Sequence, residues 1–333
     1  MIYKRLLLAA ASTFFIAACS DSTDTAADGA VELRMGHFPN LTHVQGLVAH
    51  HMSRNGQGWY ERRVGELLGK PVRVTWYCYN AGPSAMEAIF AHSLDLTYVG
   101  PSPAINAYVK AHGSEVRIIA GAVEGGAALV APADSQAASP QDFRGKTLAT
   151  PQLGNTQDVS CRAWLRSGGL QVSLTGGDAK IMPTRNPEQL SLFAKGYFDG
   201  VWTVEPWVSR LEQAGGKIII EEQDALTTVL AASERFLKTK PEIAAAVLTA
   251  HRELSQWIIE HPEEAQHMVA QELRELTKTD FDFDLVSLSW KRIRINAELN
   301  RALLQEFVKN AALSGFLRKE PDISTLISTD IHD

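Results

Sequence analysis

The chain has 333 residues, 45% of them hydrophobic, enough to bury a large core and to build two domains. Its 32 basic and 38 acidic residues leave a net charge of −6 with no basic stripe, which argues against a nucleic-acid partner. The 3 cysteines lack metal-type spacing.

Residues 1–18 read as a secretion signal. Lys4 and Arg5 form its positive start, and the apolar run 6–18 is too short for a permanent membrane span. Small residues then precede Cys19. The ending Ile16-Ala17-Ala18-Cys19 resembles a bacterial lipobox, in which the cysteine is acylated and becomes the mature N-terminus. An ordinary signal peptide that contains a cysteine is the alternative. Residues 19–30 are a polar tether, so the expectation is an exported, periplasmic lipoprotein held at a membrane surface. Cys78 and Cys161 fall in separate units and are expected as buried free thiols, although an oxidising compartment permits a disulfide.

From 31 to about 128 the chain alternates strands and helices. Strands are predicted at 31–36, 72–78, 95–99 and 116–121, with helices at 44–52, 59–68 and 85–91. Such alternation predicts a parallel, doubly wound sheet. Gly125-Gly126 stands before another strand, 127–131, where a hinge fits. A surface loop at 132–141 leads to a second α/β unit with strands 146–150, 179–182, 200–204 and 217–220 and helices from Asn155, 187–195 and 206–213. The rest reads as helical. Pro241 and Pro262 open two helices, and Trp290, Ile293, Ile295, Leu299, Leu303, Phe307 and Phe316 supply further apolar faces that need a sheet to cover.

Five strand-to-helix corners share one chemistry: an apolar run ends in Gly, Pro, Ser, Thr or Asn and a helical pattern begins. Pro83, Pro103 and Pro206 suit a first helical position. In residues 146–164, Asn155 suits the N-cap and Asp158 falls where it can reach back to it, a capping box. The first amides of such helices face outward beyond the strand ends, where small ligands bind.

The leader with Cys19, then GHFPNLTHVQGLVAH (36–50), LDLTYVGPSPAINAY (94–108), GKTLATPQLGNTQD (145–158) and FDGVWTVEPWVSRL (198–211), resembles the nitrate/sulfonate/taurine-type substrate-binding proteins of ABC importers. The likeness spans essentially the whole mature chain. It implies an α/β, type II two-lobed periplasmic binding protein fold, with lobe 1 at 31–129 and 231–333, lobe 2 at 130–230, crossings near Gly126 and Thr228, and the C-terminal helices on lobe 1. It also implies an ABC permease with its ATPase as partner and a small-molecule solute, with no cofactor. A monomer is expected because no long coiled coil or exposed apolar helix is evident, and export, anchoring and the missing acid–base constellation speak against an enzyme.

By the same resemblance the ligand contacts are Phe38, Asn40, Thr42 and His43; Asn80, Gly82 and Ser84; Gly100, Ser102 and Pro103; Gln152, Asn155 and Thr156; Thr203, Glu205 and Trp207; and Thr227 and Thr228. These residues supply neutral donors, helix starts and aromatic faces, suited to a small polar head with an apolar body. None of the loops carries Lys or Arg. Glu205 either pairs with a donor on the ligand or caps its own helix, so a sulfonate, an amino-sulfonate such as taurine, nitrate and a neutral heteroaromatic all stay open. A metal on His37, His43, His50 and His51 is disfavoured because adjacent helical histidines diverge. No nucleophile elbow or phosphate loop is present, against an enzyme on the same fold. A sensory binding protein shares every one of these features with a transport receptor.

Overall fold

The computed structural model describes residues 29–174 and 176–328. The leader, Cys19 and all but the end of the tether lie outside the described residues. Within them the chain forms two lobes, each built on its own sheet.

The first sheet has six strands in the spatial order Ile293–Ile295, Val116–Gly125, Leu226–Ser233, Leu96–Val99, Val31–His37 and Val72–Cys78. Val31–His37 pairs in parallel with both Val72–Cys78 and Leu96–Val99, as strand–helix alternation requires. Leu33 and Met35 project from it into a core completed by Val44, Leu47 and Val48 of helix Val44–Arg54, whose three-and-four spacing makes one apolar stripe. Helices Pro241–Glu260 and Pro262–Thr277 bring Val247, Leu254, Val269 and Leu273 to the same core. Each such fully buried side chain contributes roughly 1.5–3 kcal/mol of transfer free energy.

The second sheet runs Gly216–Glu222, Ala127–Pro132, Gly200–Val204, Thr147–Thr150 and Lys180–Pro183. Side chains alternate across it. Leu129, Leu148 and Trp202 pack on one face with Cys161 and Leu165 of helix Thr156–Ser167, while Ala128, Val130 and Val201 pack on the other with Phe193 and Val208.

Neither sheet is all-parallel, which corrects the sequence expectation. Val116–Gly125 leaves the first sheet and Leu226–Ser233 returns to it in the opposite direction, so the two pair antiparallel, with no crossover helix between them. Ala127–Pro132 is likewise antiparallel to Gly200–Val204. The outgoing crossing lies at Gly125 and Gly126, with φ of 76° and 75°, a left-handed pair that favours glycine twice over. The return crossing is residues 223–225 rather than Thr228, because Thr228 already sits in a strand of the first sheet. The expected lobe boundaries at 129/130 and 230/231 therefore fall inside strands, and 127–129 and 226–230 change lobes.

Two further expectations change. Ile293 and Ile295, read as part of a helical face, form an edge strand on Val116–Gly125, in line with their spacing of two. The last helices do not cover the first lobe alone: Arg301–Leu313 packs against both Pro101–Lys110 and Thr156–Ser167, and Arg166 donates to the Leu313 carbonyl at 2.7 Å. Cys161 is a buried free thiol, whereas Cys78 is free and exposed because its strand is at the sheet edge. Among the described residues no helix is long and apolar enough to cross a membrane.

Candidate functional site

Three strand-to-helix corners open toward one cleft between the lobes. Helix Gly82–Phe90 follows Val72–Cys78, Pro101–Lys110 follows Leu96–Val99, and Thr156–Ser167 follows Thr147–Thr150. Their starts contribute Gly82, Gly100, Pro103, Asn155, Thr156 and Gln157 to a common lining. Each start carries the positive end of a helix dipole, with amide donors only at the positions that are not proline. The prolines shift slightly from expectation: Pro101 takes a first position, Pro83 a second, and Pro206 precedes helix Trp207–Gln213.

The Asn155 corner is built tightly. Asn155 Oδ1 accepts from the Asp158 amide at 2.9 Å, as a cap should. The Asp158 carboxylate does not complete a capping box on Asn155. It accepts instead from the Gly154 amide at 2.9 Å and Thr150 Oγ1 at 2.9 Å, and pairs with buried Arg162 at 3.2 Å. This ties the loop to the strand behind it.

The lining also includes Phe38, Asn40, Thr42, His43, Asn80 and Thr227 among the expected residues, and Ala81, Pro151, Gln157 and Val204, which sequence reasoning left out. Gln157 had a readable signal, since it is the second residue of a helix whose first faces the cleft. No Lys, Arg, Asp or Glu lines the cavity. Its volume is about 20 Å³, little more than one water occupies, so the lobes are closed on each other. The closure brings Thr156 of the second lobe against Gly100 of the first: a methyl group on Gly100 would sit 2.0 Å from Thr156 Oγ1.

Seven expected contacts stand outside this lining. Ser84 and Gln152 meet each other across the lobes at 3.3 Å. Ser102 and Thr228 are buried just behind, and their hydroxyls have no hydrogen-bond partner among the described residues. Thr203 Oγ1 donates to Asn186 Oδ1 at 3.0 Å, and the Trp207 indole donates to Asn40 Oδ1 at 3.0 Å, so both act on the cleft through Asn40. Glu205 takes the helix-cap reading of its two. Its carboxylate accepts from Ser209 N at 3.1 Å, Ser209 Oγ at 2.9 Å and Arg292 at 2.7 Å, which makes it a helix cap and a buried ion pair rather than a ligand group. Burial nevertheless pushes its carboxyl above the ordinary range, against the pull of Arg292 and Ser209.

His43 is buried with its ring 4.2 Å from Phe38, and its Nδ1 has no partner among the described residues. Burial, with His37 nearby, holds its pKa well below 6.5, so it faces the cleft neutral. The Thr156 hydroxyl is also buried and unpartnered. The other histidines build the first lobe: His37 Nε2 meets His50 Nδ1 at 2.9 Å, and buried Glu272 takes Arg54 at 2.7 Å with His50 at 3.2 Å. Arg185, absent from the sequence-based list, is exposed at the rim and its Nε donates to Asn80 Oδ1 at 3.3 Å.

Solved structures with the same fold cover most of the chain. The alkanesulfonate-binding protein SsuA of Xanthomonas axonopodis pv. citri, bound to MOPS, aligns with a TM-score of 0.68 and 16% identity over 89% of this chain and 98% of its own. The periplasmic aliphatic sulphonate binding protein SsuA of Escherichia coli gives 0.66 and 16% over 90% and 98%. The periplasmic nitrate-binding protein NrtA of Synechocystis PCC 6803 gives 0.69 and 15% over 89% and 83%. At these identities the likeness establishes the periplasmic binding protein fold. A search of curated protein sequences returns no match. The family model for NMT1-like proteins matches residues 26–273, most of the chain, and on that match the chain belongs to the NMT1-like family.

Proposed function

We propose that the protein is the solute-binding lipoprotein of an ABC importer, and that it captures a small compound with an oxyanion head, a sulfonate or nitrate, between its lobes. One observation carries this reading: three helix starts and the unpartnered Thr156 hydroxyl converge on a very small cavity whose lining has no charged side chain. Fixed N–H dipoles suit an anion without a counter-cation. The named neighbours bind an alkanesulfonate and nitrate, which agrees with the reading at the level of their fold.

In this scheme the protein is exported, acylated at Cys19 and held at the membrane surface on the 19–30 tether, as a monomer. Solute shifts the lobes from open to closed, and the closed form delivers it to a permease driven by an ATPase. The test is calorimetric titration of the exported, purified chain with methanesulfonate, taurine, nitrate, sulfate and a pyrimidine. Binding of an oxyanion, weakened by Thr156→Ala, supports the reading. Binding of the pyrimidine alone overturns it.

A further inference from the structure

We infer that the cleft selects heads made only of hydrogen-bond acceptors, because its amides at Asn40, Asn80 and Gln157 are locked with their amino groups as the free ends. The inference rests on the oxyanion reading above and narrows it. Amide oxygen and nitrogen are told apart by their partners, and each of these three has a partner that settles the matter.

The indole N–H of Trp207 can only donate, and it meets Asn40 at Oδ1 at 3.0 Å. Asn186 donates to the same oxygen at 3.1 Å, and is itself held by the Thr203 hydroxyl on its Oδ1 at 3.0 Å. Both lone pairs of Asn40 Oδ1 are thus used. At the rim, the guanidinium of Arg185, also donor-only, meets Asn80 Oδ1 at 3.3 Å. The third lock begins in the backbone: the Asp158 amide donates to Asn155 Oδ1 at 2.9 Å, which turns Asn155 Nδ2 toward Gln157 Oε1 at 3.0 Å. Turning Gln157 over would set two amino groups against each other. Among the described residues, no hydrogen bond occupies Asn40 Nδ2, Asn80 Nδ2 or Gln157 Nε2.

A sulfonate or nitrate offers only oxygen to these groups. A head that turns an N–H toward them leaves donors facing donors, and a buried unmade hydrogen bond of this kind weakens binding roughly 10- to 100-fold. The hydroxyls of Thr42 and Thr156 and the neutral imidazole of His43 do not discriminate, since each can present a donor or an acceptor. Gln157, Asn186 and Arg185 become specificity-determining or positioning residues, and Trp207 acts through Asn40.

The experiment compares methanesulfonate with methanesulfonamide, nearly equal in shape, on the full chain by calorimetry. The wild type prefers the sulfonate by at least tenfold. Gln157→Glu, which suits the first turn of a helix and keeps the unliganded melting temperature, loses sulfonate affinity at least tenfold and narrows the preference. Trp207→Phe combined with Asn186→Ala narrows it without any change of charge, by removing both donors that hold Asn40 Oδ1. If the wild type binds both equally, or the variants keep the wild-type ratio, the inference is overturned while the oxyanion reading stands. If the wild type binds neither methanesulfonate nor nitrate, the oxyanion reading itself falls and takes the inference with it.

Discussion

Replacing Gly100 by alanine separates closure from folding. Its backbone, at φ −68° and ψ 153°, is ordinary for alanine, so the substitution brings no local strain. The new methyl carbon would lie 2.0 Å from Thr156 Oγ1, 3.1 Å from Thr156 Cβ and 3.6 Å from the Thr227 carbonyl. Thr156 belongs to the opposite lobe, and the cheapest relief is to hold the lobes apart. Overpacking of this size costs about 1–3 kcal/mol. Because it falls on the closed form, solute affinity drops about 5- to 150-fold. Calorimetry with the tightest-binding anion measures that loss, and urea unfolding of the unliganded protein measures stability. In a Thr156→Gly background the same Gly100→Ala change should cost nothing further. Unchanged affinity, or an equal loss in unliganded stability, refutes the reasoning.

Arg292→Ala strands the buried Glu205 carboxylate, which is 0% exposed, and should destabilise the protein by about 3–5 kcal/mol in urea melts; adding Glu205→Gln should recover most of it. His251 is buried against Tyr98 and the Gly121 carbonyl, and burial lowers its pKa from 6.5 to about 4. A base whose folded pKa is depressed stays neutral in the fold and charges when unfolded. Its stabilisation is therefore full above pH 6.5 and is lost as pH falls toward 4, about 3 kcal/mol over that window, and the pH slope of urea stability should flatten in His251→Gln. Arg185→Gln should slow anion association several-fold at low salt, with the difference vanishing near 1 M salt in stopped-flow measurements. Cys19→Ala should move the protein from the membrane to the soluble periplasmic fraction on fractionation, and an unchanged distribution rules out the lipid anchor.

The corners were legible because their chemistry is local. Asn155 must cap, since a polar turn follows an apolar strand and Asp158 stands three residues on, and the cap is there. The convergence of Gly100 and Asn155 on one cleft is not local; the repeated corner chemistry suggests a shared cleft, and the resemblance implies which corners face it. Glu205 shows the limit from the other side. Its position after a strand is that of a ligand group, but Arg292, 87 residues away, decides that its charge is spent inside the protein.

By itself, the sequence determined where strands and helices begin, because apolar periodicity, proline and capping residues act within a few positions. It also determined that the cleft loops carry neutral donors rather than cations. Only the tertiary structure decided the sheet directions, since the strands that cross between lobes carry no local mark of running antiparallel. It alone decided which polar atoms remain free. Hydrogen bonds such as Trp207 to Asn40, 167 residues apart, consume one end of an amide and leave the other for a ligand, and that choice is made only when distant segments meet.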